Sequence, residues 1–533
     1  MNRIAGLWAL PLLAAVLALA VAPPAGAVLC TLDNAPAATL LLPYFEVDLA
    51  DPAGRTTLVA INNASDKATL AHVVLWTDYG VPTLVFDVYL TGYDVQTINL
   101  RDVFQGHPPQ TADRDRDPLD TISHQGPFSQ DVGFPGCAGL PPGDMPASLV
   151  THLRRAHSGQ PSPLFGNLCA GADFSQPQIA RGYATIDVVK ACTPLRPVDA
   201  GYFGTDGVAG FDNVLWGDFI QVDPAGFVAQ GQNLVRLEAD PGRFGPGSVT
   251  FYGRYVNGSG ADGREPLATD WAVRFLNGGT FTGGTELVVW RSPTWPGVPF
   301  PCGTLPAGVP RSQREILVFD EQEHVAVNEP FPIPEPVPQA ALVPFSLAAS
   351  RVSMGGATLP IPWNFGWLRL DLRPAGNEPA DPYAQAWVGQ VANASRRFDV
   401  GLVGTQLGSL CDSGRCFQGT AAPTGTLCVE GPLAVGEPAR FTVTPKGCFS
   451  SSCTTVRQAG CAVQAEGVDL RLDALVCLDV STNGICTADC SGGGLARCAS
   501  GPLAAGTYTA HLGSLALTFQ VPSAAGSCIG SSF

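Results

Sequence analysis

Residues 56–104, TTLVAINNASDKATLAHVVLWTDYGVPTLVFDVYLTGYDVQTINLRDVF, decide the fold class. They resolve into four short strands at 57–61, 70–76, 84–90 and 95–100. In the third, Leu84, Phe86, Val88 and Leu90 share one face, and Val85, Asp87 and Tyr89 share the other. Alternation with a period of two marks a half-buried strand. Asn62-Asn63, Gly80-Val81-Pro82 and Gly92 interrupt the runs, as turn residues do. Strands this close together predict an antiparallel meander, because each parallel crossover needs a dozen or more residues.

The same grammar extends outward. Before the meander, Tyr44, Glu46 and Asp48 alternate with Phe45, Val47 and Leu49. After it, residues 105–180 are rich in Gly, Pro, Asp and Gln, too long for a hairpin loop. One helix is expected there, over 145–158. Asp144 is placed to cap it, Met145, Leu149, Leu153 and Ala156 form its apolar stripe, and Gly159 ends it. Strands return at 182–190, 214–222, 233–239, 249–256, 271–276, 286–290 and 315–319. A proline at every second position from Pro330 to Pro338 then locks an extended strap without ladder donors. It serves either as a linker or as an edge-capping strand. Beyond it, Val391-Ala392-Asn393-Ala394-Ser395 echoes Ile61-Asn62-Asn63-Ala64-Ser65, and Leu342-Val343-Pro344-Phe345 echoes Leu41-Leu42-Pro43-Tyr44. Chance and duplication of a sandwich half both account for these echoes.

The expectation is therefore an all-β protein. A large antiparallel β-sandwich region over 28–415, with a short helical excursion, precedes a smaller disulfide-rich sandwich over 424–533. The proline strap offers a division of the larger region near 330–338. Residues 1–27 read as a signal peptide: Arg3, an uncharged apolar run from Ile4 to Ala22, a Pro23-Pro24 break and a small-residue cleavage site at Ala25-Gly26-Ala27. A membrane anchor is the competing reading, opposed by the proline pair.

Composition agrees with export. Ten of the 16 cysteines fall between Cys411 and Cys498, and Cys528 follows. Zinc sites use short paired spacings with His or further Cys; no Cys-x-x-Cys occurs here, so disulfides are expected. Cys137, Cys169 and Cys192 flank the helical excursion as staples. The net charge of −16, with only Lys67, Lys190 and Lys446 among 30 basic residues, makes nucleic acid and anionic lipid poor partners. The lysine scarcity, with heavy Ala, Gly and Pro, points to a bacterium with GC-rich DNA. The expected location is extracellular, at the cell surface or in the periplasm.

In the C-terminal region, Leu503-Ala504-Ala505-Gly506-Thr507-Tyr508-Thr509, a Gly513 turn and Leu517-Thr518-Phe519-Gln520-Val521 resemble the last hairpin of bacterial immunoglobulin-like domains. The resemblance implies a β-sandwich used for adhesion, spacing or display, and no catalytic residues. The segment lacks a Trp, and its cysteines do not show a single inter-sheet pair, so a loop-stapled variant is expected. Cys428 and Cys528 bracket it and are the expected pair tying its ends, since first and last strands of sandwiches commonly lie together. The larger region resembles secreted β-rich bacterial surface proteins in texture.

Few residues suggest chemistry. No Gly-x-Ser-x-Gly, no His-Glu-x-x-His and no phosphate-cradling glycine loop is present. His152 and His157 are expected on different, solvated helix faces. Asp113, Asp115 and Asp117 alternate as the first ligands of a calcium loop do. Pro118 stands where such a loop turns on Gly, and His124 where it ends on Glu, so a solvated loop is the competing reading. Glu46 and Asp48, about 6.5–7 Å apart on one strand face, match the carboxylate spacing of an inverting glycosidase. Trp290, Trp295, Trp363, Trp367 and Trp387 suit either sugar stacking or a core. The sequence thus favours a secreted, non-catalytic surface or matrix protein binding glycan or protein. The alternative is a carbohydrate-active or other hydrolytic enzyme.

Overall fold

The structure is a computed structural model. It describes residues 35–110, 137, 143–171, 176–204, 206–241, 250–255, 262–293, 297–303, 313, 315–326, 347–355, 359, 361–373, 384–395, 397–407, 415–418, 425–445, 449–451, 454–480, 495–512 and 515–530. It is all-β, with 52% strand against 7% helix. The signal-peptide reading, the aspartates 113, 115 and 117, and the proline strap all lie outside the described residues.

Nine strands form the first sandwich: β1 (Thr39–Asp48), β2 (Thr56–Asn63), β3 (Thr69–Thr77), β4 (Pro82–Leu90), β5 (Val95–Asn99), β6 (Ile179–Val189), β7 (Leu215–Asp223), β8 (Val228–Asn233) and β9 (Val235–Leu237). They make a five-stranded sheet, β4-β3-β6-β1-β9, and a four-stranded sheet, β5-β2-β7-β8. The expected strands 56–104 are therefore present, but they are not a meander. β2 and β5 pair in the small sheet, β3 and β4 in the large one, and the chain crosses between sheets twice. Alternation identifies a strand and its faces; it does not name the partner. Leu40, Leu42, Phe45, Val73, Phe86, Val88, Ile186 and Phe219 fill the space between the sheets.

Two helices close one end. α1 (Leu100–Gln105) is capped by the Asn99 side chain, which accepts from the Arg101 N–H. α2 (Ala147–His157) is the expected helix with a different start: Pro146 is its N-cap and supplies no side-chain cap. Asp144 instead bonds His107 Nδ1 at 2.9 Å. The strand expected at 249–256 is a 3-10 turn over Phe251–Tyr255.

The second sandwich contains β10 (Asp270–Leu276), β11 (Gly284–Arg291), β12 (Glu315–Asp320), β13 (Val325–Ala326), β14 (Ala349–Ser353), β15 (Phe365–Asp371), β16 (Ala386–Asn393), β17 (Asp399–Val403) and β18 (Thr405–Gln406). Its sheets run β13-β12-β15-β10-β18 and β14-β11-β16-β17. This is the order of the first sandwich with every strand advanced by nine. The register agrees too. Asn62 faces Trp216 and Val95 in the first small sheet; Trp290 faces Trp387 and Ala349 in the second. Asp187 faces His72 as Asp371 faces Glu315, and Tyr183 faces Trp76 as Trp367 faces Phe319. The two sandwiches are one pattern used twice.

The chain divides between β9 and β10. β12, before residues 330–338 in the chain, pairs with β15, after them, so one sheet draws on both sides of that stretch. The echo between Ile61–Ser65 and Val391–Ser395 also joins non-equivalent strands, β2 and β16. What those segments share is a local turn: Asn63 Oδ1 accepts from the Ser65 N–H at 3.0 Å, and Asn393 Oδ1 from the Ser395 N–H at 2.8 Å.

The two sandwiches are joined through sheet faces. The large sheet of the first is buried on both sides, so β3 is buried at all nine positions. Its outer residues Leu41, Tyr44, Val74, Trp76 and Tyr183 share one core with Val288, Trp290, Trp387 and Val391 of the second small sheet. Tyr183 meets Trp290 edge-on at 5.9 Å, and Phe251, from the connection between the sandwiches, packs on Trp290 at 5.0 Å. The order of layers is small sheet, large sheet, small sheet, large sheet.

The third sandwich is built differently. It holds β19 (Arg415–Gln418), β20 (Thr426–Val429), β21 (Pro438–Thr444), β22 (Thr454–Glu466), β23 (Asp469–Val480), β24 (Ala496–Pro502), β25 (Gly506–Leu512), β26 (Leu515–Val521) and β27 (Ser527–Gly530). One sheet runs β19-β23-β25-β26 with β22 on β23, and the other β24-β21-β20-β27. β23 and β25 pair in parallel over three residues. Leu427, Phe441, Leu470, Leu478, Ala510 and Phe519 lie in its own core.

Candidate functional site

The carboxylate pair Glu46 and Asp48 does not form a catalytic site. The outer half of β1 after its bulge carries Glu46 into the seam between the sandwiches, where it is 4% exposed. Arg55 bonds one carboxylate oxygen, and Arg181 Nε and the Tyr44 hydroxyl bond the other at 2.9 and 2.6 Å. Arg351 of β14 lies 4.0 Å away and pairs with Glu286 at 2.5 Å. Burial alone pushes the Glu46 carboxyl up; the Arg55 guanidinium, then Arg351, the Tyr44 hydroxyl and Arg181 outweigh it and hold the pKa at about 2. A carboxylate so held stays ionised and does not serve as a proton donor. Asp48 instead turns the chain, accepting from the N–H groups of Ala50 and Asp51, both at 2.9 Å.

A second polar group escaped the sequence reading. Asp87, His72, Asp187 and Thr39 lie in one row across four strands of the first large sheet. Asp187 is fully buried. It accepts from Thr39, from the Tyr202 hydroxyl at 2.6 Å and from the Tyr252 hydroxyl at 2.9 Å. Arg264, also fully buried, lies 3.6 Å from it and sits over the rings of Phe203, Phe211 and Tyr252. His72 Nδ1 pairs with Asp87 at 2.7 Å. Burial and the neighbouring Asp187 raise both tyrosine pKa values. This buried network, in which only His72 Nε2 lacks a hydrogen-bond partner, anchors Tyr252 and Arg264 of the connecting segment to the sheet.

The two helix histidines are buried rather than solvated. His152 Nδ1 bonds Ser162 at 2.5 Å; His157 bonds Thr83 at 2.7 Å and the Arg181 carbonyl at 2.9 Å. Burial lowers the His157 pKa to about 4 against the pull of that carbonyl. Their five-residue spacing does place them on different faces, but sheet and loop cover both.

Among the described residues of the first two sandwiches, open apolar side chains lie on the outer face of the first small sheet and half-buried ones on the outer face of the second large sheet. On the outer face of the first small sheet, Leu58, Val95, Trp216 and Ile220 are 37%, 56%, 41% and 40% exposed. Asp218 and Thr97 lie between them in register. On the outer face of the second large sheet, Trp367 stacks on Phe319 at 4.2 Å and 9°, beside Arg274. A cleft of about 280 Å³ opens at the edge between the two sheets of this sandwich, lined by Arg274, Trp367 and Thr405 from the large sheet and Gln390 and Leu402 from the small one. That is smaller than the ~300–1,000 Å³ of drug-sized pockets, so it is a surface dimple on a sheet edge. Among the sequence candidates, Trp290 and Trp387 are core residues of the joint, and Trp295 lies outside the described residues. Trp216 was missed, although its alternation with buried Leu215 and Phe219 carries the signal.

The disulfides staple rather than react. Cys137–Cys192 and Cys169–Cys302 fix the excursion after α1, and Cys428–Cys528 joins facing residues of β20 and β27. Cys461–Cys498 links β22 to β24, which lie in different sheets, so the third sandwich does contain an inter-sheet pair. Among the described residues no cluster of His, Cys, Asp and Glu is placed to hold a metal, and no helix is long and apolar enough to cross a membrane. Comparison with family models, with curated proteins and with solved structures finds no match for this chain.

Proposed function

We propose that this chain is a secreted, non-catalytic surface or extracellular-matrix protein that works by adhesion to glycan or protein. The observation that carries the reading is the outer face of the first small sheet. That face leaves Leu58, Val95, Trp216 and Ile220 open to solvent around Asp218 and Thr97, and exposed apolar patches rimmed by polar residues mark interaction sites. The carboxylate pair that favoured an enzyme is locked by arginines, which weighs against the hydrolytic alternative. The disulfides suit an oxidising compartment, and the immunoglobulin-like reading of the third sandwich suits display of the other two.

The test is binding of the immobilised full chain to panels of polysaccharides and matrix proteins. Saturable binding that Trp216→Ala or Trp367→Ala weakens at least tenfold, with unchanged circular dichroism, supports the reading. Release of cleaved product from any panel member, or binding indifferent to both substitutions, overturns it.

A further inference from the structure

Resting on the reading of the outer faces as binding surfaces, we infer that copies of this chain associate head to tail. The outer face of the second large sheet of one copy seats on the outer face of the first small sheet of the next.

The internal joint is the template. There, the large sheet of the first sandwich lies on the small sheet of the second. Its contact residues have equivalents at both ends of the molecule. On the large-sheet side, the stacked pair Trp76 and Tyr183 (5.8 Å, 2°) corresponds in register to Phe319 and Trp367, stacked at 4.2 Å and 9°. Val74 corresponds to Leu317. On the small-sheet side, Trp387 on β16 corresponds to Trp216 on β7, and Val391 to Ile220. Trp387 is 2% exposed and Trp216 is 41% exposed. Among the described residues, the first two sandwiches thus end in one half-buried plug and one open socket of the same pattern.

Charge is compatible with that pairing. The plug carries Arg274 beside Trp367, and the socket carries Asp218 two residues from Trp216. The intermolecular joint lacks the Phe251–Tyr255 wedge, which belongs to the connection between sandwiches, so it is weaker than the internal one. Plug and socket are different surfaces. The contact is therefore heterologous, and unless the rotation between copies closes a ring it propagates as an open chain.

The experiment is sedimentation velocity of the purified full chain over a wide concentration range, without added ligand. Wild type is expected to give a concentration-dependent ladder beyond the dimer. Trp216→Arg breaks the socket and Trp367→Glu breaks the plug, so each variant alone stays monomeric, with unchanged circular dichroism. Mixed in equal amounts, they retain one good plug and one good socket and form a dimer that goes no further. A wild type monomeric at every concentration overturns the inference, as does a closed dimer or association that survives either substitution. If monomers still capture an external ligand through Trp216 or Trp367, only the self-association fails and the adhesive reading stands. If a ladder forms but nothing external binds, adhesion to other molecules fails and self-assembly stands.

Discussion

The four-stranded sheets of the first and second sandwiches have the same strand order and the same register, and they meet different fates. In the second sandwich, β11 and β16 are buried on both faces because a neighbouring sheet lies on them. In the first, β7 alternates buried and exposed along its length. The sequences differ accordingly. Asn62 and Trp216 face each other on the open sheet, where Trp290 and Trp387 face each other under cover. Cover, rather than topology, decides whether a strand reads as a continuous apolar run or as an alternation. The comparison also shows that a tryptophan on a sheet means core in one copy and surface in the other.

Equivalent substitutions sharpen that contrast. Trp387→Ala opens a cavity in the joint and is expected to cost about 3–5 kcal/mol in chemical denaturation, the usual loss for a large buried aromatic. A cost under ~1 kcal/mol would mean that the joint does not hold the sandwiches together. At the same seam, Glu46→Gln leaves Arg55, Arg181 and Arg351 without their shared carboxylate. A loss of about 3–5 kcal/mol is expected, as for other broken buried pairs.

The third sandwich offers a contrast in how stability is obtained. Loss of Cys428–Cys528 by paired substitution with Ser is expected to cost about 2–5 kcal/mol in that unit. Calorimetry is expected to show one transition shifting while the other stays in place. A common shift of all transitions would break the distinction between a cross-linked unit and a core-stabilised pair.

Acid separates the same regions. Glu46 has a depressed pKa in the folded state, so its stabilisation is complete above its ordinary 4.5 and is lost as pH falls towards 2. His157, held neutral by burial, behaves the same way over a higher window: its stabilisation is complete above its ordinary 6.5 and is lost as pH falls towards 4. The first sandwich is thus expected to lose up to about 3 kcal/mol between those pH values. His157→Gln should flatten the fall in melting temperature across that window. An unchanged slope would show that His157 does not titrate with unfolding.

The smallest effect belongs to the open face. Trp216→Ala, measured at dilution, is expected to change stability by less than about 1 kcal/mol, as surface substitutions do. A loss matching that of Trp387→Ala would mean that the first small sheet is covered in the single chain.

Sequence by itself determined most of the strands and the class of the fold, because alternation is local and follows from strand geometry; it did not show that β1 and β3 are covered on both faces. It located α2, whose apolar stripe is read at helical period, but not its cap: the helix starts at Ala147 behind Pro146, and Asp144 bonds His107 instead. Tertiary structure decided the rest. Which sheet a strand joins depends on long-range pairing, so β2 and β3 separate although their sequences are adjacent. The repeat was hidden because its loops differ greatly: residue 95 matches 349 while 216 matches 387, and the excursion between β5 and β6 has no counterpart of similar length. Glu46 looked like half of a catalytic pair until Arg181 and Arg351, far away in the chain, closed on it. Charge neutralisation and burial are properties of a place in the folded chain, and only folding brings those residues to one place.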